Sequence, residues 1–413
     1  MSTLDFYFDY SCPYAYLGSS QVEALARTAG RTLRYKPMLL GGVFHANGTP
    51  QNLMNILSPA KAAHNVADMN RFAKLFDVEL SIPSTHPMRT VEALRATLLA
   101  ECDPKVIQGF FRAYWVDHAP ISEEAVVRRV LTTAGKNADA IWKDIASDAV
   151  KNDLRARTDE AVALGIFGAP AYVVDGELYW GQDRVHFVAK APWESLVPEC
   201  APDTSRGETR GGTARTLEVY WDFSSPFAYL GVSQAEKLAA RTGAKLIWRP
   251  MLLGGLFKTI GQVDAPLATF SAAKQAYYAK DLLRWAEHWG VPFQWPSRFP
   301  MNTVKALRCY LAIPEGEARD TFRKLVFQAF WGEDRDISDD AVLRELIGKA
   351  GVSDADAILA KTQDPAIKNE LIEATKRAAD AGVFGAPTWV VDGQELFWGQ
   401  DRLFLVERAL TAP

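Results

Sequence analysis

Two short stretches of the sequence place a thiol or a hydroxyl directly before a proline. Cys12 precedes Pro13 and Ser225 precedes Pro226, and each pair lies between a strand-like run and a helical one. Ser followed by Pro is typical of the N-cap and the first position of a helix, and Cys takes the same place in the earlier stretch. Unpaired backbone N–H groups and the helix dipole stabilise an anion there. Both stretches therefore predict sites that favour a thiolate or another anion.

Cys12 raises a question that Ser225 does not. A thiol at the start of a helix is expected to have a lowered pKa and to be nucleophilic. Ala15 stands where the second cysteine of a redox motif would lie, which argues against a dithiol–disulfide cycle within this stretch. Two interpretations stay open: a monothiol that forms a mixed disulfide, and a site where Cys merely replaces Ser.

The stretches belong to a longer duplication. Several further words of sequence recur, in the same order, in the second half of the chain. The recurring pairs are 36–44 with 249–257, 165–170 with 382–387, and 180–184 with 398–402. Between the copies lies a segment rich in Pro, Gly and small polar residues, which is typical of a linker. We predict a first repeat over 1–200, a linker over 201–214 and a second repeat over 215–413.

Each repeat has the same predicted elements. A strand, a helix and a second strand come first, and a long helical region with apolar residues three and four positions apart follows. A hairpin around an Asp-Gly turn and a last helix close each repeat. This order predicts an α/β fold in which a sheet is interrupted by an all-helical insertion. The insertions are placed at 58–164 and 270–381, and the sheet-forming parts at 1–57, 165–200, 215–269 and 382–413.

Composition excludes several classes of protein. A net charge of −4 on 413 residues argues against a nucleic acid or an anionic membrane as the main partner. The sequence has neither an apolar run of about 18 residues nor a basic leader before an apolar segment. The six histidines have no metal-ligand spacing, and the four cysteines form no C-x-x-C pair. We expect a cytoplasmic protein that acts on a small molecule without a metal.

Three linked words carry a family resemblance. They are Asp-x-x-Ser-Pro-x-x-Tyr-Leu, Val-Phe-Gly-Ala-Pro-Thr and Trp-Gly-Gln-Asp-Arg. Together they resemble the 2-hydroxychromene-2-carboxylate isomerase family, which is related to kappa-class glutathione transferases and more distantly to DsbA-like oxidoreductases. The resemblance implies two thioredoxin-like domains with helical insertions, a cis-proline loop facing the active-site helix, and bound glutathione. It also implies that the repeats pair as an intramolecular pseudo-dimer, with further oligomerisation open.

The resemblance also implies roles for individual residues. Ser225 would interact with the glutathione sulfur, and the backbone of Ala386, before the cis Pro387, would pair with its cysteinyl peptide. The other implied contacts in the second repeat are Lys258, Gln262, Asp401 and Arg402. The first repeat has Cys12, His45, Thr49, Ala169, Pro170, Asp183 and Arg184 at these positions. An Asn is usual where Gln262 and Thr49 stand, so both copies depart from the family there, and the second repeat is the better match.

Judged without the resemblance, these residues leave alternatives. Pro170 and Pro387 are compatible with a cis bond or with a rigid loop, and each Asp-Arg pair with a surface ion pair.

The function that the resemblance implies is glutathione-dependent isomerisation of an aromatic or unsaturated carboxylate. A glutathione transferase, a thiol–disulfide oxidoreductase using Cys12, and a non-enzymatic first repeat are the alternatives.

Overall fold

The computed structural model describes residues 2–51, 57–197, 214–262 and 266–412. The predicted linker over 201–214 lies outside the described residues up to residue 213. The chain divides into two compact units. The described residues of unit 1 fall within Met1–Leu57, Asn65–Ala201 and Phe270–Tyr277, and those of unit 2 within Ser58–His64, Pro202–Thr269 and Tyr278–Pro413. Each unit thus includes a short segment from the helical region of the other repeat.

Unit 1 is built on a four-stranded sheet and a set of helices between its strands. The elements before the insertion are β1 (Thr3–Phe8), α1 (Pro13–Thr28), β2 (Thr32–Pro37) and α2 (Leu40–Ala46). The insertion consists of α3 (Pro59–Leu75), α4 (Val91–Leu99), α5 (Pro104–Trp115), α6 (Glu124–Thr133), α7 (Ala138–Asp144) and α8 (Asp148–Ala163). After it come β3 (Ala171–Val174), β4 (Glu177–Trp180), α9 (Val185–Ala189) and α10 (Trp193–Leu196). The first residues of α3, up to His64, belong to unit 2.

Unit 2 repeats this plan. It begins with β5 (Thr216–Trp221), α11 (Pro226–Thr242), β6 (Lys245–Pro250) and α12 (Leu253–Thr259). Its insertion consists of α13 (Ala272–Trp289), α14 (Val304–Ala312), α15 (Glu317–Trp331), α16 (Asp340–Lys349), α17 (Ala355–Lys361) and α18 (Pro365–Asp380). It ends with β7 (Thr388–Val391), β8 (Glu395–Trp398) and α19 (Leu403–Thr411).

The two sheets have the same topology. Their strand orders are β2-β1-β3-β4 and β6-β5-β7-β8. The first two strands of each repeat pair in parallel. The first hairpin strand pairs antiparallel with the first strand of the repeat, and the second hairpin strand pairs antiparallel with the first hairpin strand. The predicted fold, a thioredoxin-like sheet interrupted by an all-helical insertion, is confirmed in both units. Of the described helices, none is long and apolar enough to span a membrane.

Buried aromatic side chains attach each insertion to the turn that precedes α1 or α11. The indole of Trp115 donates to the carbonyl of Tyr10 over 2.9 Å, and that of Trp331 to the carbonyl of Phe223 over 2.8 Å. These tryptophans belong to aromatic clusters of the insertions, and all members are buried: Phe110, Phe111, Tyr114, Trp115, Phe327, Phe330 and Trp331. Truncation of such a side chain costs about 3–5 kcal/mol. The insertions therefore fix the turn that carries the candidate site.

Candidate functional site

Ser225 caps α11 and also reaches the proline loop of unit 2. Its Oγ accepts from the backbone N–H of Ala228 at 3.1 Å, which is an N-cap hydrogen bond. The same hydroxyl donates to the carbonyl of Ala386 at 2.9 Å, and the Ala386–Pro387 peptide bond is cis. The fold thus brings the predicted sulfur-binding residue together with the predicted proline loop.

Cys12 occupies the same place in unit 1 but without the cap. Its Sγ donates to the carbonyl of Ala169 at 3.0 Å, before the cis Ala169–Pro170 bond, and no side-chain cap hydrogen bond forms. Burial raises the pKa of the Cys12 thiol to about 12, outweighing the N–H groups of the helix start that lower it. The expectation of a lowered pKa is therefore wrong, because a thiol that is only 8% exposed loses more in solvation than the helix end returns.

Sequence reasoning missed a buried aspartate in each copy of the motif. Asp222 is fully buried and accepts from three different parts of unit 2. Its donors are the N–H of Ser224 at 3.1 Å, the N–H of Leu253 at 2.7 Å and the hydroxyl of Thr303 at 2.7 Å. Burial raises the pKa of its carboxyl despite these bonds. Asp222 therefore joins the motif turn, the start of α12 and the N-cap of α14.

Asp9 is the corresponding buried aspartate of unit 1. It accepts from the N–H groups of Ser11 at 3.0 Å and Leu40 at 2.8 Å, and burial raises the pKa of its carboxyl too. The signal was available, because the aspartate stands in both copies of the word. This aspartate is part of the word that carries the resemblance, but the resemblance implied no role for it. The structure shows that it holds the helix start in place.

The predicted contacts at the end of α12 lie apart from Ser225. Lys258 is exposed in the last turn of α12, and the N–H of Gln262 donates to the carbonyl of Phe257 at 2.8 Å to close that helix. In unit 1, His45 is exposed in the last turn of α2, and the N–H of Thr49 closes that helix in the same way. Within the described residues, no hydrogen bond or ion pair joins these four side chains to Ser225 or Cys12.

The Asp-Arg pairs are largely buried, so their interpretation as surface ion pairs is wrong. Asp401 and Arg402 lie 3.1 Å apart with side chains 14% and 12% exposed, and Asp183 and Arg184 lie 3.1 Å apart and are more buried still. A backbone bond ties the word that contains each pair to the proline loop: the N–H of Gly399 donates to the carbonyl of Pro387 at 3.0 Å. In unit 1 the N–H of Gly181 makes the same bond to Pro170 at 2.9 Å.

The start of α3 contributes a cation to unit 2 that sequence reasoning missed. The Lys61 ammonium lies 5.1 Å from the centre of the Trp398 ring, and burial lowers the pKa of this lysine. Among the described residues, no carboxylate lies within salt-bridge distance of it. Lys274, the aligned residue of the second repeat, lies 5.5 Å from the Trp180 ring in unit 1. An internal alignment of the repeats would have shown both lysines.

The arrangement can bind an anionic thiol compound. A hydroxyl at a helix N-terminus can donate to a thiolate, and strand-like backbone beside a cis proline can pair with a peptide. A half-buried lysine without a described carboxylate partner provides a counter-charge for a carboxylate ligand. These features lie together in unit 2 around Ser225, Pro387 and Trp398.

Comparisons with known proteins support two copies of one domain. The family described as the DsbA-like thioredoxin domain matches residues 3–191 and again 216–411. A 2-hydroxychromene-2-carboxylate isomerase of Sphingobium xenophagum is 28% identical over 190 residues, which are 45% of this chain and 95% of that protein. Glutathione S-transferase kappa 1 of Homo sapiens is 29% identical over 212 residues, 48% of this chain and 92% of that protein. A solved 2-hydroxychromene-2-carboxylate isomerase structure is 29% identical, with a TM-score of 0.44, and the match covers 47% of this chain and 94% of that one.

Proposed function

The chain belongs to the DsbA-like thioredoxin domain family, which it matches once in each repeat, and from that premise we propose that it is a glutathione-dependent isomerase. Its substrate is an aromatic or unsaturated carboxylate, like the one named for the isomerase relatives. The observation that carries the proposal is the Ser225 hydroxyl, held at the N-terminus of α11 and 2.9 Å from the carbonyl before a cis proline. We place the enzyme in the cytoplasm, in keeping with the free thiols of Cys12, Cys102 and Cys309.

The residues of unit 2 fit a glutathione molecule. Glutathione carries two carboxylates and a thiol, and Lys61 has a half-buried charge with no described carboxylate beside it. Lys61 binds one carboxylate, and the backbone of Ala386 pairs with the cysteinyl peptide. Asp401 binds the γ-glutamyl amino group while Arg402 holds Asp401 in place. Lys258 and Gln262 remain proposed contacts from the end of α12.

Ser225 has the chemical role in this proposal. Bound glutathione supplies a thiolate that adds reversibly to a conjugated carbon of the substrate, so that a bond can rotate before the sulfur leaves. The Ser225 hydroxyl turns from the Ala386 carbonyl to donate to the sulfur, and the dipole of α11 adds to the stabilisation. In unit 1 the corresponding set is Cys12, His45, Thr49, Ala169, Pro170, Asp183 and Arg184, and Cys12 offers a weaker donor than Ser225.

A substitution pair tests the proposal. Ser225→Ala is expected to lower glutathione-dependent turnover of 2-hydroxychromene-2-carboxylate by about 10²-fold, because one donor to the developing anion is lost. Cys12→Ala is the matched variant: it removes the weaker donor of unit 1 and is expected to lower the turnover of the whole chain much less than Ser225→Ala does. Full turnover by Ser225→Ala would remove Ser225 from the mechanism. Calorimetric titration with glutathione gives the number of sites: two per chain supports paired sites, and one supports a first repeat without its own site.

A second candidate is a glutathione transferase, favoured by the similarity to the human kappa-class enzyme. The two reactions differ in whether glutathione is consumed. An isomerase returns the glutathione after each turnover, so its concentration stays constant while product accumulates. A transferase loses one glutathione for each product molecule. Following free thiol alongside product therefore separates the two candidates, with the same Ser225→Ala variant as the control for site dependence.

The Lys61 contact has its own test within this proposal. Lys61→Gln removes the charge and is expected to weaken glutathione binding about tenfold or more, since a charge-assisted hydrogen bond is lost. Lys274→Gln makes the same change over Trp180 in unit 1 and serves as the matched variant. An unchanged dissociation constant in both variants would exclude these lysines from glutathione binding.

A further inference from the structure

We infer that His64 and Tyr277 are positioning residues for the two proline loops, and that His64 makes the Ser225 site, unlike the Cys12 site, respond to protonation. The inference extends the proposed function, since it concerns the same two sites. It starts from an exchange between the repeats: His64 and Tyr277 are aligned in the duplication and differ in chemistry. His64 belongs to unit 2 and Tyr277 to unit 1.

His64 satisfies a backbone donor at the edge of the sheet in unit 2. β8 is the outer strand of the order β6-β5-β7-β8, so one side of it has no neighbouring strand in the described sheet. The N–H of Trp398, the last residue of β8, donates instead to Nε2 of His64 at 3.2 Å. The imidazole is buried and packs 5.3 Å from the ring of Phe384. A partly buried backbone N–H that has no strand partner is satisfied by such an acceptor.

Trp398 in turn supports the proline loop. Its indole lies over Gly385, where an added Cβ would approach Nε1 to 2.5 Å. The next residue, Gly399, donates to the carbonyl of Pro387 at 3.0 Å. Any shift of Trp398 therefore displaces the loop whose carbonyl accepts from Ser225. His64 acts on the site through this connection and does not touch the reacting groups.

Tyr277 holds the same position in unit 1. The N–H of Trp180 donates to its hydroxyl at 3.0 Å, and the side chain is buried. The ring of Tyr277 also packs 5.5 Å from Phe167, which corresponds to Phe384. Trp180 lies over Gly168 as Trp398 lies over Gly385. The two units therefore place different acceptors on the same backbone group.

The acceptors differ in their response to pH. Nε2 of a neutral imidazole accepts a hydrogen bond, and the ring then carries its proton on Nδ1. When solvent adds a second proton at Nε2, both ring nitrogens become donors and the N–H of Trp398 loses its acceptor. A phenol oxygen keeps its lone pairs through the whole range in which histidine titrates. Acid therefore loosens the end of β8 and leaves the end of β4 unchanged.

The charged groups near the two acceptors are of the same types. On α3, Lys61 lies one turn before His64, and its positive charge opposes protonation of the imidazole. The loop 382–388 has no charged residue, and the Asp401–Arg402 pair follows Trp398. The counterparts in unit 1 are Lys274, Asp183 and Arg184. The replacement of His64 by Tyr277 at the aligned position is therefore the difference that determines whether the site responds to pH.

Reciprocal substitutions test the inference on the full chain. Amide hydrogen exchange is followed in peptides covering 396–400 and 178–182, from weakly alkaline to weakly acidic pH, after correction for intrinsic exchange. In the wild type, protection at 396–400 is expected to fall about tenfold on acidification relative to 178–182, since a partly buried donor loses its partner. His64→Tyr is expected to abolish this fall, and Tyr277→His to transfer it to 178–182. His64→Gln, a neutral acceptor, is expected to keep the protection without the pH response.

Glutathione titrations across the same pH range give the functional readout. The wild-type Ser225 site is expected to bind glutathione about tenfold more weakly at the acid end, and His64→Tyr to remove that weakening. Identical exchange profiles for wild type and His64→Tyr would overturn the inference. The exchange measurement needs no ligand, so an absence of glutathione binding would contradict the proposed function and leave the positioning role to be judged by exchange alone.

Discussion

The structure predicts that Cys12 is a slow nucleophile, although it stands at a helix N-terminus. Raising the pKa of its thiol from 9.0 to about 12 lowers the thiolate fraction at neutral pH about a thousandfold. A more basic thiolate is intrinsically more nucleophilic, which returns about 15- to 30-fold for this difference in pKa. The product of the two effects is a rate about 30- to 60-fold below that of an ordinary cysteine, before any loss of access through burial.

Alkylation by iodoacetamide measures this directly. The rate for the peptide containing Cys12 is compared between native protein at neutral pH and the same protein unfolded in urea, using mass spectrometry. We expect the native rate to be at least about 30-fold lower. Ser225→Cys provides a matched variant, because the new thiol lies at the same helix position and beside the same kind of carbonyl in unit 2. It is expected to react as slowly as Cys12.

A native rate equal to the unfolded rate would refute this reasoning. It would mean that the N–H groups at the start of α1 offset burial in full, and a faster native rate would mean that they lower the pKa of the thiol, as the sequence alone predicted. This result would support the interpretation of Cys12 as a reactive monothiol. Mixed-disulfide exchange with glutathione would then become the activity to measure for unit 1. A slow rate instead favours the isomerase or transferase proposals, which do not use a protein thiolate.

Two further pairs of substitutions test the buried polar groups. Asp222→Asn is expected to lower the free energy of unfolding by about 1–3 kcal/mol in urea titrations, since one amide oxygen cannot accept from both Ser224 and Leu253. Asp9→Asn is expected to lower it by a similar amount through unit 1. An unchanged free energy of unfolding in either variant would contradict the joining role of these carboxylates. Tyr172→Phe is expected to raise the free energy of unfolding by about 1 kcal/mol or more, because its buried hydroxyl has no partner among the described residues. Tyr10→Phe removes a buried hydroxyl that is hydrogen-bonded to Thr97, so it is expected to lower the free energy of unfolding. Equal effects of the two tyrosine substitutions would contradict this account.

Much of the fold could be predicted because its signals are local. The hairpin in unit 1 follows from alternating apolar residues around Asp175 and Gly176, both of which have a positive φ. The helix start at Ser225 follows from the order of Ser and Pro, and the structure shows the N-cap hydrogen bond. Such features depend on a few neighbouring residues, so the sequence determines them without knowledge of distant contacts.

The missed parts of the site depend on contacts between distant residues. Ser225 and Ala386 are 161 positions apart, and only the family resemblance brought them together before the structure was known. Lys61 lies on an insertion helix, where nothing in its own surroundings indicates that it reaches Trp398. The pKa of Cys12 was predicted in the wrong direction because the desolvation of a side chain is set by everything packed around it. Local sequence reports the helix end but not the burial.

The differences between the repeats fall at particular places. Both units keep the buried aspartate of the motif, the cis proline and the lysine above the tryptophan. They differ at the group that donates to the carbonyl before the cis proline, Cys12 against Ser225, and at the acceptor for the edge strand, Tyr277 against His64. In unit 1 the Lys274 ammonium also lies 4.0 Å from the centre of the Phe270 ring, so packing over aromatic rings is enough to explain its retention. The glutathione titration separates packing from anion binding in unit 1: two sites per chain indicate an anion site there as well, and one site indicates that the lysine only packs.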